Sequence, residues 1–265
     1  MKQLTQEEGK KIQISILNYF HDFCVRHSLR YYLYFGTLIG AIRHHGYIPW
    51  DDDVDIIMPR CDYERMLQLM VNEPQSQFGL VEFRCQKEYY LPFAKIVSKN
   101  TVLKERVIPD FDLGVYIDVF PLDKLPGTMA RAKAVRFENK ILTRLLQLKV
   151  YPKHSNKFVP RDIVRWIIKP LSIQTLLKII HKNSVRYSKD KKTAYVSNIV
   201  WPTYKNEILL DEWFAESKPV DFEGYLFNVP KDYDKILSSL YGDYMKLPPV
   251  ENRINKHHFN AWIKE

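Results

Sequence analysis

Apolar residues recur at helical spacing from the start of the chain. Ile12, Ile16, Tyr19, Phe20 and Phe23 fall on one helix face. Thr5 followed by Glu8 supplies a capping box before them. The spacing predicts a helix ending near His27. Residues 30–35 (RYYLYF) then read as a strand broken at Gly36, and TLIGAIRHH as a short helix closed by Gly46. Val54 and Ile56 alternate with Asp53 and Asp55, which predicts a strand over 53–58 stopped by Pro59. A helix over 62–71 follows, then short strands at 80–85, 93–97 and 101–105. Residues 114–120 (GVYIDVF) form a stronger strand, ended by Pro121.

The character changes after Pro126-Gly127. Ala134, Val135, Ile141, Leu142, Leu145 and Leu148 have helical spacing, with Lys133, Arg136, Lys140 and Arg144 along the other side. A linker over 151–160 leads into more basic, helix-like sequence, and from about Tyr195 the chain is mixed and rich in aromatics and prolines. The expected organisation is a catalytic core over 1–125, a basic helical region over 126–194, and a C-terminal part over 195–265 that completes the site. The fold class expected is α/β (α+β): a mixed sheet flanked by helices, with a basic helical insertion or appendage.

Composition narrows the setting. The chain has 265 residues, 46% hydrophobic and 27% charged, which suits a globular protein with a sizeable core. No apolar run follows the basic residue near Met1, so a secretory signal is not expected. Three cysteines without a CxxC pair fit plain thiols in a reducing compartment, and the expected location is cytoplasmic. Charge is uneven. Residues 124–192 carry 18 Lys and Arg against three acids, a net of +15, which leaves −6 for the rest of the +9 chain. Such asymmetry calls for an acidic partner. With Trp166, Ile167 and Ile168 close by, the expected contact is an anionic inner membrane face or an acidic, lipid-linked acceptor. Basic helix faces turned to water are the plainer alternative.

The candidate chemistry lies in PWDDDVDIIMPR, residues 49–60. Side chains at i and i+2 of a strand share a face, so Asp53 and Asp55 present two carboxylates together. Adjacent carboxylates repel unless a cation sits between them. Oxygen ligands with open positions suit Mg²⁺, with Mn²⁺ as the alternative ion. A solvated acidic turn accounts for Asp51 and Asp52, but poorly for acids interleaved with apolar residues. Asp118 repeats the pattern inside VYIDVF, and a salt bridge is its structural alternative. Gly36-Thr37 opens a helix and offers a phosphate cradle. Lys95, in AKIV, either reaches a diphosphate or is a surface strand lysine.

The run YFGTLIGAIRHHGYIPWDDDVDIIMPRCDYERM closely resembles the LicD family of phosphocholine transferases, which is related to the fukutin proteins. GVYIDVFPLDKLP and LYGDYMKLPPVENRINKHH resemble two further blocks of that family. The resemblance implies a nucleotidyltransferase-like fold, with a Gly-Thr turn, an Asp-x-Asp pair and a third carboxylate on a later strand. It implies Asp53, Asp55 and Asp118 as catalytic and metal-binding residues. Gly36, Thr37, Arg43, Asp52, Lys95, Tyr241, Arg253, His257 and His258 are the accompanying donor-binding candidates. It further implies a CDP-linked donor, typically CDP-choline, and a glycan acceptor on lipopolysaccharide, teichoic acid or capsule, with CMP released. The alternative is a nucleotidyltransferase that adds NMP to a glycan or nucleic acid; a nucleic-acid partner is not expected.

Overall fold

A computed structural model describes residues 1–73, 76–105, 107–109, 111–152, 160–190, 193–255 and 260–264. After a short strand β1 (Lys2–Gln3), Thr5 caps α1 (Gln6–Arg26). The Thr5 hydroxyl accepts from the Glu8 amide at 3.2 Å, and the Glu8 carboxylate accepts from the Thr5 amide at 2.8 Å. Two of the helix's orphan donors are thereby satisfied. The chain continues through β2 (Tyr32–Leu33), α2 (Phe35–His44), β3 (Asp55–Pro59) and α3 (Arg60–Val71). Next come β4 (Phe78–Val81), β5 (Ala94–Ser98), β6 (Thr101–Leu103) and β7 (Tyr116–Lys124). Three helices follow: α4 (Met129–Val150), α5 (Pro160–Ile167) and α6 (Ile173–Ser184). The last part holds β8 (Tyr195–Ser197), β9 (Leu209–Leu210), the hairpin β10 (Ser217–Phe222) and β11 (Tyr225–Pro230), α7 (Tyr233–Tyr241) and β12 (Ala261–Ile263).

The central mixed sheet runs β2-β3-β7-β5-β4, with β3 and β7 parallel and the other neighbours antiparallel. Alternation sorts its side chains onto two faces. Ile56, Met58, Ala94, Ile96, Ile117 and Val119 pack on the α1 side, in one core with Ile16, Leu17, Phe20 and Met66. Ile57, Val97, Phe120 and Leu122 pack on the other side, with Leu146 of α4 and Leu176, Leu177 and Ile180 of α6. Asp55, Lys95 and Asp118 have the parity of this second face.

The α/β reading holds, and several boundaries move. The second expected strand begins at Asp55, leaving Asp53 in the loop before it. Strand β7 runs through Pro121 to Lys124 instead of stopping there. The Asp118 amide donates to Val54 O, toward β3. Pro121, three residues on, therefore faces the opposite side, where β5 has ended and β8 first pairs at Asp123. Its missing N–H costs no ladder bond. The expected strand over 80–85 lies at Phe78–Val81, because the Glu82 carboxylate accepts from the Arg84 amide at 2.8 Å and turns the chain. His45, not Gly46, takes the left-handed conformation that ends α2, with φ 56. Gly46 is small for another reason: a Cβ there would lie 2.2 Å from Glu223 Oε1.

Helix α4 departs most from its expected face. Polar Arg136, Asn139 and Thr143 are buried, whereas Ala134 and Ile141 are exposed. Arg136 reaches the Glu207 carboxylate at 3.0 Å and the carbonyl of Tyr204, so it fastens the helix to the segment after β8. Asn139 donates to Ser184 Oγ at 3.2 Å and Thr143 donates to Val200 O at 3.2 Å. No helix among the described residues is long and apolar enough to cross a membrane.

Candidate active site

Register brings the acids together. Asp55 of β3 pairs with Asp118 of the parallel β7, and Lys95 of β5 pairs with Asp118 from the other side. Three adjacent strands therefore place Asp55, Asp118 and Lys95 in one row on one face. They open into a cavity of about 900 Å³, which Gly36, Asp51, Asp52 and Asp53 also line. Thr37 fixes the row's edge: its hydroxyl accepts from the Asp55 amide at 2.9 Å. Gly36 permits close approach of an acid, since a Cβ there would lie 2.6 Å from Asp51 Oδ2.

Lys95 is 2% exposed. Its ammonium donates to Asp118 Oδ1 at 2.6 Å and lies 3.3 Å from the centre of the Tyr116 ring. It is thus neither a surface lysine nor clear of the acid row. Burial, then the neighbouring Asp51 and Asp118, pushes the Asp53 carboxyl well above the usual range. Burial, then Asp53 and Asp118, does the same to Asp55, with Lys95 opposing. The cause is burial together with the mutual repulsion of neighbouring carboxylates. Asp52 accepts from Asn255 Nδ2 at 2.9 Å through Oδ2, while its buried Oδ1 has no hydrogen-bond partner among the described residues.

Asp53 and Asp55 are the carboxylates here that could hold Mg²⁺. Among the described residues no group of three acid, histidine or cysteine side chains is placed to hold a metal ion. Mg²⁺ does not require one, because it keeps waters and substrate phosphates as ligands beside one or two carboxylates.

The other anticipated residues are placed unevenly. Thr37 and Arg43 do not line the cavity; Arg43 donates to the Tyr244 carbonyl at 2.5 Å and clamps the chain after α7. Arg253 lies over Trp50, 5.6 Å from the ring centre, and donates to Pro248 O at 2.8 Å. Tyr241 stands behind the wall: its hydroxyl donates at 2.8 Å to that of Tyr204, which does line the cavity. His257 and His258 lie outside the described residues.

Glu105 and Trp201 join the lining without having been anticipated. Glu105 accepts from Tyr116 Oη at 2.5 Å and from the Tyr90 hydroxyl. Nothing in TVLKE marks this acid as different from any charged strand end. Its role depends on strand pairing.

A family model described as LicD/FKTN/FKRP, nucleotidyltransferase domain, matches residues 28–158. The chain is 29% identical over 272 residues to lipopolysaccharide cholinephosphotransferase LicD of Haemophilus influenzae, covering 99% of this chain and all of that protein. An uncharacterized protein of Rickettsia prowazekii is 33% identical over 76 residues, 25% of this chain and 29% of that one. The matched region runs from the end of α1 past α4 and contains the whole row of Asp55, Lys95 and Asp118 with its Gly-Thr turn. The chain belongs to the LicD family.

Proposed function

We propose that this LicD-family enzyme moves phosphocholine from CDP-choline to a glycan of lipopolysaccharide, releasing CMP, with Mg²⁺ bound at Asp53 and Asp55. The observation that carries the reading is the cross-strand row of Asp55, Asp118 and Lys95 in a deep acidic cavity. The full-length similarity to a lipopolysaccharide cholinephosphotransferase supports the substrate class.

Each residue has a task that its position supports. Asp53 and Asp55 hold the cation against the donor diphosphate, and Gly36 lets the Asp51 carboxylate approach the same cavity. When bound, Mg²⁺ supplies charge neutralisation at the leaving phosphate. Asp118, oriented by Lys95, either joins the cation's ligands or accepts the proton of the attacking glycan hydroxyl. The cavity also suits a cationic alcohol. Phe93, Tyr116, Tyr151, Trp201 and Tyr204 are among its lining, and Glu105 adds a carboxylate. Aromatic faces attract quaternary ammonium groups.

A thermal-shift series with Mg²⁺ and CDP-choline, CDP-ethanolamine, CDP-glycerol or CDP-ribitol tests the donor. CDP-choline should give the largest upward shift, and transfer to isolated lipopolysaccharide should follow the same order. A larger shift with CDP-ribitol or CDP-glycerol would overturn the choline reading.

A further inference from the structure

A second cavity, of about 660 Å³, lies between α4 and α5, and nothing in the transfer chemistry uses it. Its floor is apolar, with Ile141, Leu145, Leu148 and Val164, and its rim carries Lys140, Arg144, Arg161 and Arg165. No acidic side chain is among the described lining residues.

The helices beside it turn apolar stripes to solvent. On α5, Ile163, Trp166 and Ile167 stand at i, i+3 and i+4 and are 51%, 76% and 61% exposed. On α4, Phe137 and Ile141 stand at i and i+4 and are also exposed. Of the trio expected from the sequence to be interfacial, Ile168 is instead buried. Helix α5 buries none of its own residues. Polar contacts at its C-terminal end fasten it: Arg165 donates to Tyr151 O at 3.1 Å, and Lys149 donates to Ile168 O at 3.1 Å. An ordinary surface helix turns such a stripe inward. A contiguous apolar patch rimmed by cations marks a site where something else is covered.

We propose that the α4–α5 face is a docking surface for an anionic phospholipid bilayer, with the stripes entering the headgroup boundary and the cations meeting lipid phosphates. The combination of apolar side chains and Lys or Arg on one short helix is that of an interfacial helix. The charge is complementary to acidic lipid and not to a basic partner. Glu138 and Asp162 are the acids on the two helices, against Arg131, Lys133, Lys140, Arg144, Lys149, Arg161 and Arg165, with Arg136 set apart by its buried pairing to Glu207. The surface also adjoins the site of transfer: Tyr151 lines both cavities. A protein seated this way presents its acid cavity beside the membrane, where a lipid-linked glycan is held. The docking itself does not depend on the identity of the donor.

Vesicle co-sedimentation of the full chain tests the idea. Vesicles of phosphatidylglycerol should bind it, phosphatidylcholine vesicles should bind at least tenfold less, and raised salt should weaken the binding steeply. Two variants, Lys140→Glu with Arg161→Glu, and Ile163→Asp with Trp166→Asp, should each lower vesicle binding at least tenfold. Both should keep the wild-type melting temperature and transfer to a detergent-free, delipidated glycan. Equal binding to both vesicle types, or full binding by either variant, would overturn the proposal. So would self-association abolished by the same variants without vesicle binding, since a second copy would then be the occupant. Loss of transfer by the wild type would count against the proposed reaction and leave the sedimentation result standing.

Discussion

Lys95 stands directly across from Asp118 in the antiparallel pairing of β5 and β7, and its ammonium meets the carboxylate at 2.6 Å. The lysine is 2% exposed, and the Tyr116 ring lies 3.3 Å from its charge. The pair sets one buried positive charge inside a cavity whose charged lining residues are mostly acids. Lys95 and Lys104 are the lysines among the described lining residues, against Glu105 and five aspartates.

Lys95→Met should therefore damage both stability and turnover. Removing one partner of a buried ion pair costs about 3–5 kcal/mol, because the other charge is left uncompensated. Urea unfolding of the metal-free protein should show a loss near the lower figure, as Asp118 faces the cavity. Adding Asp118→Asn should recover much of that stability and none of the activity. A double variant no more stable than Lys95→Met alone would mean that the pair is not what the lysine stabilises.

Asp53→Asn should abolish transfer and make the metal-free protein more stable at neutral pH. The sign follows from the raised titration of Asp53 and Asp55, caused by burial and then by neighbouring acids. In the unfolded chain such carboxyls lose their protons near pH ~4. In the folded protein they keep them to higher pH. The unfolded state thus binds fewer protons across that window, and stability falls as pH rises from about 4 through the folded titration. The variant should flatten this fall in a melting series from pH 4 to 8. Mg²⁺ should raise the wild-type melting temperature more at pH 8 than at pH 5, and should do little for the variant.

Arg60 belongs to the same family-like run as the acids, yet its role is structural. Its guanidinium grips Asp123 at 2.6 and 2.9 Å, with Asp123 fully buried and Arg60 7% exposed. The pair ties the start of α3 to the far end of β7. Arg60→Met should cost about 3–5 kcal/mol in denaturant unfolding. Turnover per folded molecule should stay within a few-fold of wild type at low temperature. A hundredfold loss of turnover in fully folded protein would instead place Arg60 in the reaction.

The acids were legible in the sequence because each breaks an apolar strand pattern. Asp118 inside VYIDVF and Asp55 before IIM are charges where alternation calls for a buried face, and the structure sets them in register. The capping box at Thr5 was legible for the same local reason. Lys95 was readable as a strand residue but not as the partner of Asp118, since strand pairing is non-local. Arg136 shows the opposite failure. Helical spacing put it on a solvated basic face, but Glu207, far along the chain, draws it inward. Once Arg136, Asn139 and Thr143 turn in, Phe137 and Ile141 must turn out. Strand pairs and buried ion pairs between distant segments leave no periodic trace, so the second cavity was not visible in the pattern.

The bond that breaks is the sharpest test of the proposed chemistry. A CDP-alcohol carries two phosphorus atoms, and carboxylates bound to a cation can hold the diphosphate for attack at either. Positioning decides, because phosphoryl transfer depends chiefly on alignment and charge neutralisation. The lining supplies a direction. Tyr116 is two residues from Asp118 on β7, and its hydroxyl donates to Glu105 at 2.5 Å, so the Glu105 carboxylate lies one side chain away from the acid row. A choline seated there leaves its own phosphorus, one ester bond away, next to Asp118. That phosphorus is the one a glycan hydroxyl deprotonated at Asp118 would attack, and CMP would be the group that departs. Incubation with CDP-choline, Mg²⁺ and lipopolysaccharide should therefore release CMP in step with a glycan mass gain of one phosphocholine. Glu105→Gln should raise the KM for CDP-choline about tenfold, as expected for a contact worth roughly 1–2 kcal/mol to a cationic head. The same variant should leave the KM for CDP coupled to uncharged 3,3-dimethylbutanol unchanged. Release of free phosphocholine, with CMP gained by the glycan, would reverse the assignment and make the α-phosphorus the point of attack.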